Sequence, residues 1–233
     1  MCKEVRMIQR KRKELICDRI SKYSNLECSA SKITSQAHEE LKEKQVELQK
    51  LKESLELQYY SEFSEQIADQ LFDVNIELEH TENELATIVE LDILYLYKSY
   101  EFNLKQILKW AFPTSKSNQM SNINDIINFL KKKGIQVRNL EGFPHIDALR
   151  LLNNSVKHNG FVNGKSLGKA NCRNMQELAH YISSIKIKIE VFLQSLINLV
   201  KKCVMANQSV KMNQELSGLE VLSIFAVHAG RYT

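Results

Sequence analysis

Residues 144–160 carry the side chains in this chain best suited to chemistry. Wound as a helix, they place Arg150, Asn153, Asn154, Lys157 and His158 at offsets 0, 3, 4, 7 and 8. Those offsets form one stripe at 3.6 residues per turn. Leu149, Leu151, Leu152 and Val156 supply the apolar side. A guanidinium, two amides, an ammonium and an imidazole on one stripe are groups that can hold a phosphodiester and move a proton. The same residues also spell a helix end. Lys157 and His158 suit the negative pole of the helix dipole, and Asn159-Gly160 can turn left-handed to stop it. Spacing alone fits either reading.

The elements that must position this stripe are read as helices throughout. The chain has 233 residues, only 7 Gly and 2 Pro, and its first Pro is Pro113 and its first Gly Gly134. So long a stretch without a breaker predicts an all-α protein. Residues 1–22 read as a basic amphipathic helix, with Val5, Ile8, Leu15, Ile16 and Ile20 on one stripe and Arg10-Lys11-Arg12-Lys13 outside it. Such an arm touches a nucleic acid or an anionic surface, or is a solvated first helix. Residues 23–35 read as a loop, with Thr34 or Ser35 capping the next helix. Residues 36–90 repeat leucine at 41, 48 and 55, then run Ile67, Leu71, Val74, Leu78 and Leu85. That is an imperfect coiled-coil seam interrupted by Lys44, Gln58 and Glu62, suited to a hairpin or a loose dimer.

Residues 86–112 are apolar around most of a helix and predict a core helix, with Glu101 among its aromatics. A polar loop at 113–122 leads to a short helix ending at Lys131-Lys132-Lys133 and Gly134. Pro144 opens the helix of the stripe. Residues 159–173 read as a mobile loop with Lys165, Lys169 and Arg173 and no acid. Asn174 and Glu177 make a capping-box-like start for a helix to about Cys203, and Leu219 to Val227 read as a short helix or strand. His180 reads as a surface or packed residue. The expected organisation is an extension over 1–85, a globular helical domain over 86–204 and a tail over 205–233.

Charge separates these parts. Residues 1–22 hold eight Lys/Arg and three acids, residues 36–90 four Lys and fifteen acids, and residues 91–233 nineteen Lys/Arg and nine acids. An acidic helical extension beside a basic domain points to an anionic partner, or to the extension lying against a basic domain. The five cysteines are scattered, with no Cys-x-x-Cys, and read as reduced thiols of a cytoplasmic protein rather than as disulfides or a zinc site. No secretory signal and no apolar run of membrane-spanning length is present, so no membrane is expected as a partner. No metal spacing and no phosphate-binding glycine loop stands out, so neither metal nor cofactor is expected.

Asn153-Asn154-Ser155-Val156-Lys157-His158, one turn after Arg150, resembles the signature of HEPN (higher eukaryotes and prokaryotes nucleotide-binding) domains. That signature is an Arg, a polar residue and a His, with four to six residues between Arg and His. Asn154 and His158 match the polar residue and the His. Asn153 stands where the Arg is usual, and Arg150 precedes His158 by seven intervening residues. The resemblance covers about half the chain and implies a four-helix core over 86–204, preceded by a long coiled-coil-like helical extension.

It further implies a homodimer acting as a metal-independent endoribonuclease, in the setting of phage defence or a toxin–antitoxin pair. His158 would exchange a proton as the 2′-hydroxyl attacks the adjacent phosphate. Arg150 or Lys157 would stabilise charge on the phosphoryl oxygens, and Asn154 and Asn153 would orient phosphate or imidazole. Glu101 would be the acidic residue that such domains carry on their first long helix, or else an ordinary ion pair with a lysine. Lys165, Lys169 and Arg173 would grip the RNA backbone. The acidic extension would take a protein partner, an antitoxin or an effector. The alternative is a non-catalytic module of the same kind that dimerises or binds a nucleotide or a partner, and a third reading is a coiled-coil adaptor in which His158 is only a helix cap.

Overall fold

A computed structural model describes residues 3–26, 29–113 and 123–206. The described residues are helical, without a strand: α1 (Lys3–Ser21), α2 (Ser29–Ser61), α3 (Glu65–Ala111), α4 (Ile123–Lys132), a single 3-10 turn (Val137–Asn139), α5 (Phe143–Asn159), α6 (Gly164–Lys169) and α7 (Met175–Ala206). The all-α expectation holds. The proposed element at Leu219–Val227 lies outside the described residues. No helix among those described is long and apolar enough to cross a membrane.

α3 organises the molecule. At 47 residues and 1.5 Å per residue it is about 70 Å long. Its N-terminal half pairs with α2 as an antiparallel hairpin, turned at residues 62–64. Its C-terminal half enters the core with Ile93, Tyr100, Leu104, Ile107 and Leu108 buried. The expected boundary at 85/86 therefore falls inside one continuous helix. The hairpin follows the leucine seam: Leu55 and Val74 are buried, while Leu41, Leu48, Ile67, Leu71, Leu78 and Leu85 are half-buried. Lys44, which interrupts the seam, is satisfied across it by an ion pair with Glu77. At the hairpin tip, Tyr60 and Phe63 are 86% and 85% exposed.

Two expectations about the N-terminal region are corrected. α2 begins at Ser29, so Thr34 and Ser35 are not caps. Thr34 is buried inside the helix, where its hydroxyl donates to Asp92 of α3. In α1 the stripe buries only its C-terminal half. Ile16, Cys17 and Ile20 pack in the core, but Ile8 and Leu15 are exposed. The cause is where the neighbours stop. α1 runs antiparallel to α7 and α3: Leu26 N–H meets Glu190, Lys13 Nζ meets the Met205 carbonyl, and the Arg19 guanidinium lies 4.3 Å from the Trp110 ring centre. α7 ends at Ala206, opposite Lys13, and α3 at Ala111, so the upstream part of the stripe, Ile8 included, lies beyond the ends of both helices.

α5 and α7 complete the core. Leu149 and Leu152 of α5 pack with Phe192, Leu193 and Leu196 of α7, all fully buried. Gly142 at φ +83° starts α5, where an added Cβ would collide with the Lys188 carbonyl oxygen. Only glycine allows this approach. Gly160 at φ +77° ends α5, its N–H bonding the Val156 carbonyl at 2.9 Å, as the stop signal predicts.

Candidate functional site

The polar stripe of α5 lies against α3, and its members differ sharply in exposure. Arg150 is half-buried, and its Nε and Nη2 both donate to Asp147 Oδ1, at 3.0 and 2.8 Å. Asn154 is half-buried, while Lys157 and His158 are exposed. Asn153 departs from the expected wet stripe: it is 1% exposed, and among the described residues its Oδ1 has no partner and its Nδ2 reaches only Asn154 Oδ1 at 3.5 Å. The reason is its place at the stripe's edge. Asn153 stands one turn after Leu149 and one turn before Val156, beside Leu152, and these three define the core face of α5. A helical residue on that border goes to whichever side packs over it, and here the core takes it.

Tyr97 of α3 lies across from this stripe, and Glu101 and Lys105 follow it at one-turn steps along α3. Glu101 Oε1 accepts from Lys105 Nζ at 2.9 Å, one turn along the same helix. That is the ordinary ion pair which the sequence left open as its alternative role. The Tyr97 ring lies under Lys157, with Nζ 5.9 Å from its centre. Burial pushes the Tyr97 hydroxyl above its usual pKa and Glu101 adds to this, while Arg150 pulls it down. Tyr97 thus stands within the fields of both the carboxylate and the guanidinium. Behind it, Tyr100 is buried with its hydroxyl unpartnered among the described residues, and burial pushes that hydroxyl's pKa well up.

The basic segment after His158 is not the mobile loop that its composition predicts. It contains α6, whose Asn163 cap accepts from the Ser166 N–H at 3.0 Å. Val162 N–H donates to Glu90 of α3, and Ser155 Oγ bridges the Phe161 carbonyl and the Asn163 N–H. Val162, Ala170 and Cys172 are buried. Lys165 and Lys169 point outward from this pinned segment, as does Arg173, whose backbone N–H donates to Glu177. Glu177 N–H in turn donates to Asn174 Oδ1, so the predicted helix start is present.

A groove of about 1470 Å³ opens elsewhere, between the α2–α3 hairpin and the starts of α5 and α7. His38 and Asp92 face it from one wall, and His145, Tyr181 and His180 from the other. His145 Nδ1 lies 3.2 Å from the Tyr181 hydroxyl. Burial lowers the His145 pKa, with Lys188 adding to it, and burial pushes Tyr181 up to about 12. Burial also lowers His38 and raises Asp92. Lys169 reaches this groove, but Arg150, Asn153, Asn154, Lys157, His158 and Glu101 do not line it. Sequence spacing carries no trace of this groove, because its residues come from five different helices. Asp147 and Tyr97 also escape a reading by sequence, although Asp147 stands one turn from Arg150 and Tyr97 one turn from Glu101.

No family model, curated protein or solved structure matches the chain. The functional reading therefore rests on the chain's own residues.

Proposed function

We propose that the chain acts on RNA as a homodimer of HEPN type, with α5 of each copy contributing to a metal-independent endoribonuclease site. The observation that carries this reading is the exposure of His158 beside Lys157 at the end of α5, with Arg150 on the same stripe. Within one copy Arg150 and His158 are eight residues apart, about 12 Å along the helix. Two α5 helices related by a two-fold axis near Asn154 would run antiparallel. Arg150 would then oppose the partner subunit's His158, twice over. His158 exchanges a proton with the attacking 2′-hydroxyl or the leaving oxygen, and Arg150 and Lys157 offset the charge on the phosphoryl oxygens. RNA is the substrate because the 2′-hydroxyl is the nucleophile. Phage defence or a toxin–antitoxin pair would give such an activity its setting, with a protein partner on the acidic hairpin.

A second reading, a non-catalytic module of the same kind, is favoured by a separate observation. Asn153, which stands at the motif's Arg position, is buried, and Arg150 is already paired with Asp147. Labelled RNA and DNA incubated with the protein in EDTA distinguish the two. The nuclease reading expects RNA cleavage, DNA left intact, and a loss of at least about 100-fold in His158→Ala. Binding without cleavage would favour the module, and neither binding nor cleavage, with a tight oligomer, would defeat the nuclease reading and favour a coiled-coil adaptor.

A further inference from the structure

We infer that the end of the bundle where α1, α4 and α7 meet binds the phosphodiester backbone of a nucleic acid. This surface is separate from α5 and does not depend on the chemistry assigned there. Its parts are pinned together by contacts. Lys13 Nζ donates to the Met205 carbonyl at 2.9 Å, and Cys203 Sγ lies 3.5 Å from the Lys133 carbonyl. Lys201 acts electrostatically on Cys17. Arg19 covers Trp110, and Lys133 Nζ lies 5.7 Å from the rings of both Phe112 and Phe129. These contacts bring Lys13, Arg19, Lys133 and Lys201 to one end of the bundle, and Arg10–Arg12, Lys109, Lys131, Lys132 and Lys202 adjoin them along the same helices.

Glu14, paired with Arg10, and Asp18 are the carboxylates that these stretches of α1 contribute. Helix dipoles account for Lys131 and Lys132 in the last turn of α4, whereas α7 has no basic residue in its last turn. They do not account for four consecutive cations in the middle of α1, at a point where that helix leaves the bundle. Like charges so gathered raise the local positive potential and draw anions to this end.

What else the pole offers selects the occupant. The acidic hairpin of a second copy has charge complementarity, but its tip is aromatic and needs apolar surface. Here Trp110, Phe112 and Phe129 are already covered by cations. A lipid surface would need an apolar face, and the exposed Met7, Ile8 and Leu15 share theirs with Glu14 and Asp18. A phosphate backbone needs only the cations.

The test uses the full chain carrying His158→Ala, so that no substrate is cut. Fluorescence anisotropy is read with labelled strands of RNA and DNA, roughly 20 nucleotides long, between about 50 and 200 mM KCl. Exchange of Lys131, Lys132 and Lys202 for Glu should weaken binding at least about tenfold and flatten the salt dependence by about two units. RNA and DNA should bind within about threefold of each other. The same exchange at Lys165, Lys169 and Arg173 should have the smaller effect. Circular dichroism is expected to show both variants equally helical. Unchanged binding in the pole variant would overturn the inference. So would retained nucleic-acid binding with lost self-association, which would give the pole to a second copy, or binding only to vesicles containing phosphatidylserine. A preference for RNA above about tenfold that is lost in the pole variant would overturn a site that reads backbone charge alone.

Discussion

At the residue scale, Arg150 and Asn153 decide how the α5 stripe is to be understood. Asp147 competes with any phosphate for the Arg150 guanidinium, since both Nε and Nη2 already donate to it. Asp147→Asn should therefore tighten RNA binding a few-fold, while a partly exposed pair of this kind contributes less than about 1 kcal/mol to stability. Unchanged RNA affinity, read by anisotropy, would remove Arg150 from the phosphate site. Asn153 leaves a buried carbonyl oxygen unsatisfied. Asn153→Leu replaces it with an apolar side chain of similar size. Urea denaturation should show stability unchanged or raised by about 1 kcal/mol. A loss of several kcal/mol would mean that the amide has a partner in the working protein.

At the element scale, the two glycines bracketing α5 differ in a testable way. Both have positive φ, but only Gly142 has a neighbour in the path of a Cβ. Gly160→Ala should cost about 1 kcal/mol in backbone strain. Gly142→Ala should cost at least about 2 kcal/mol more, because the α5–α7 contact must also open. Equal losses by urea denaturation would contradict the close approach at Lys188.

The groove between the hairpin and α7 predicts a pH response. His38 and His145 both have pKa values lowered by burial. A lowered folded-state value means that protonation favours the unfolded chain. Their unfavourable contribution is absent above the unfolded pKa of about 6.5 and grows as pH falls through it towards the folded value. Asp92 has the opposite sign. Its raised pKa destabilises the fold as pH rises from the unfolded value through the raised one, so acidification relieves it. Melting temperatures between about pH 7.5 and 5.5 should fall less in a His38→Gln, His145→Gln variant than in the parent. Parallel curves would show that neither imidazole feels the fold.

At the scale of the whole molecule, the fold class is legible in the sequence and the placement of the site largely is not. The absence of early Gly and Pro carries the long α3, and the leucine spacing carries the hairpin seam, because both depend only on neighbours along the helix. The 85/86 boundary falls within a helix because a change in composition does not require a break in the backbone. Half of the α1 stripe stays exposed because sequence sets the stripe, whereas its burial depends on where α3 and α7 end. The projecting hairpin packs α2 chiefly on α3, so it should open at lower free energy than the bundle. Amide exchange should be faster at residues 46–80 than at residues 93–108. Equal protection of both segments would mean that the hairpin has a further partner.

Local rules therefore determined the helices, their caps at Gly160 and Asn174, and the seam that joins α2 to α3, since each follows from residues within a few turns of one another. Tertiary packing alone decided that Asn153 turns inward, that the α5 stripe faces Tyr97, and that cations from α1, α4 and α7 share one end. Burial and charge proximity depend on which helices become neighbours, and no periodicity within a single helix specifies that.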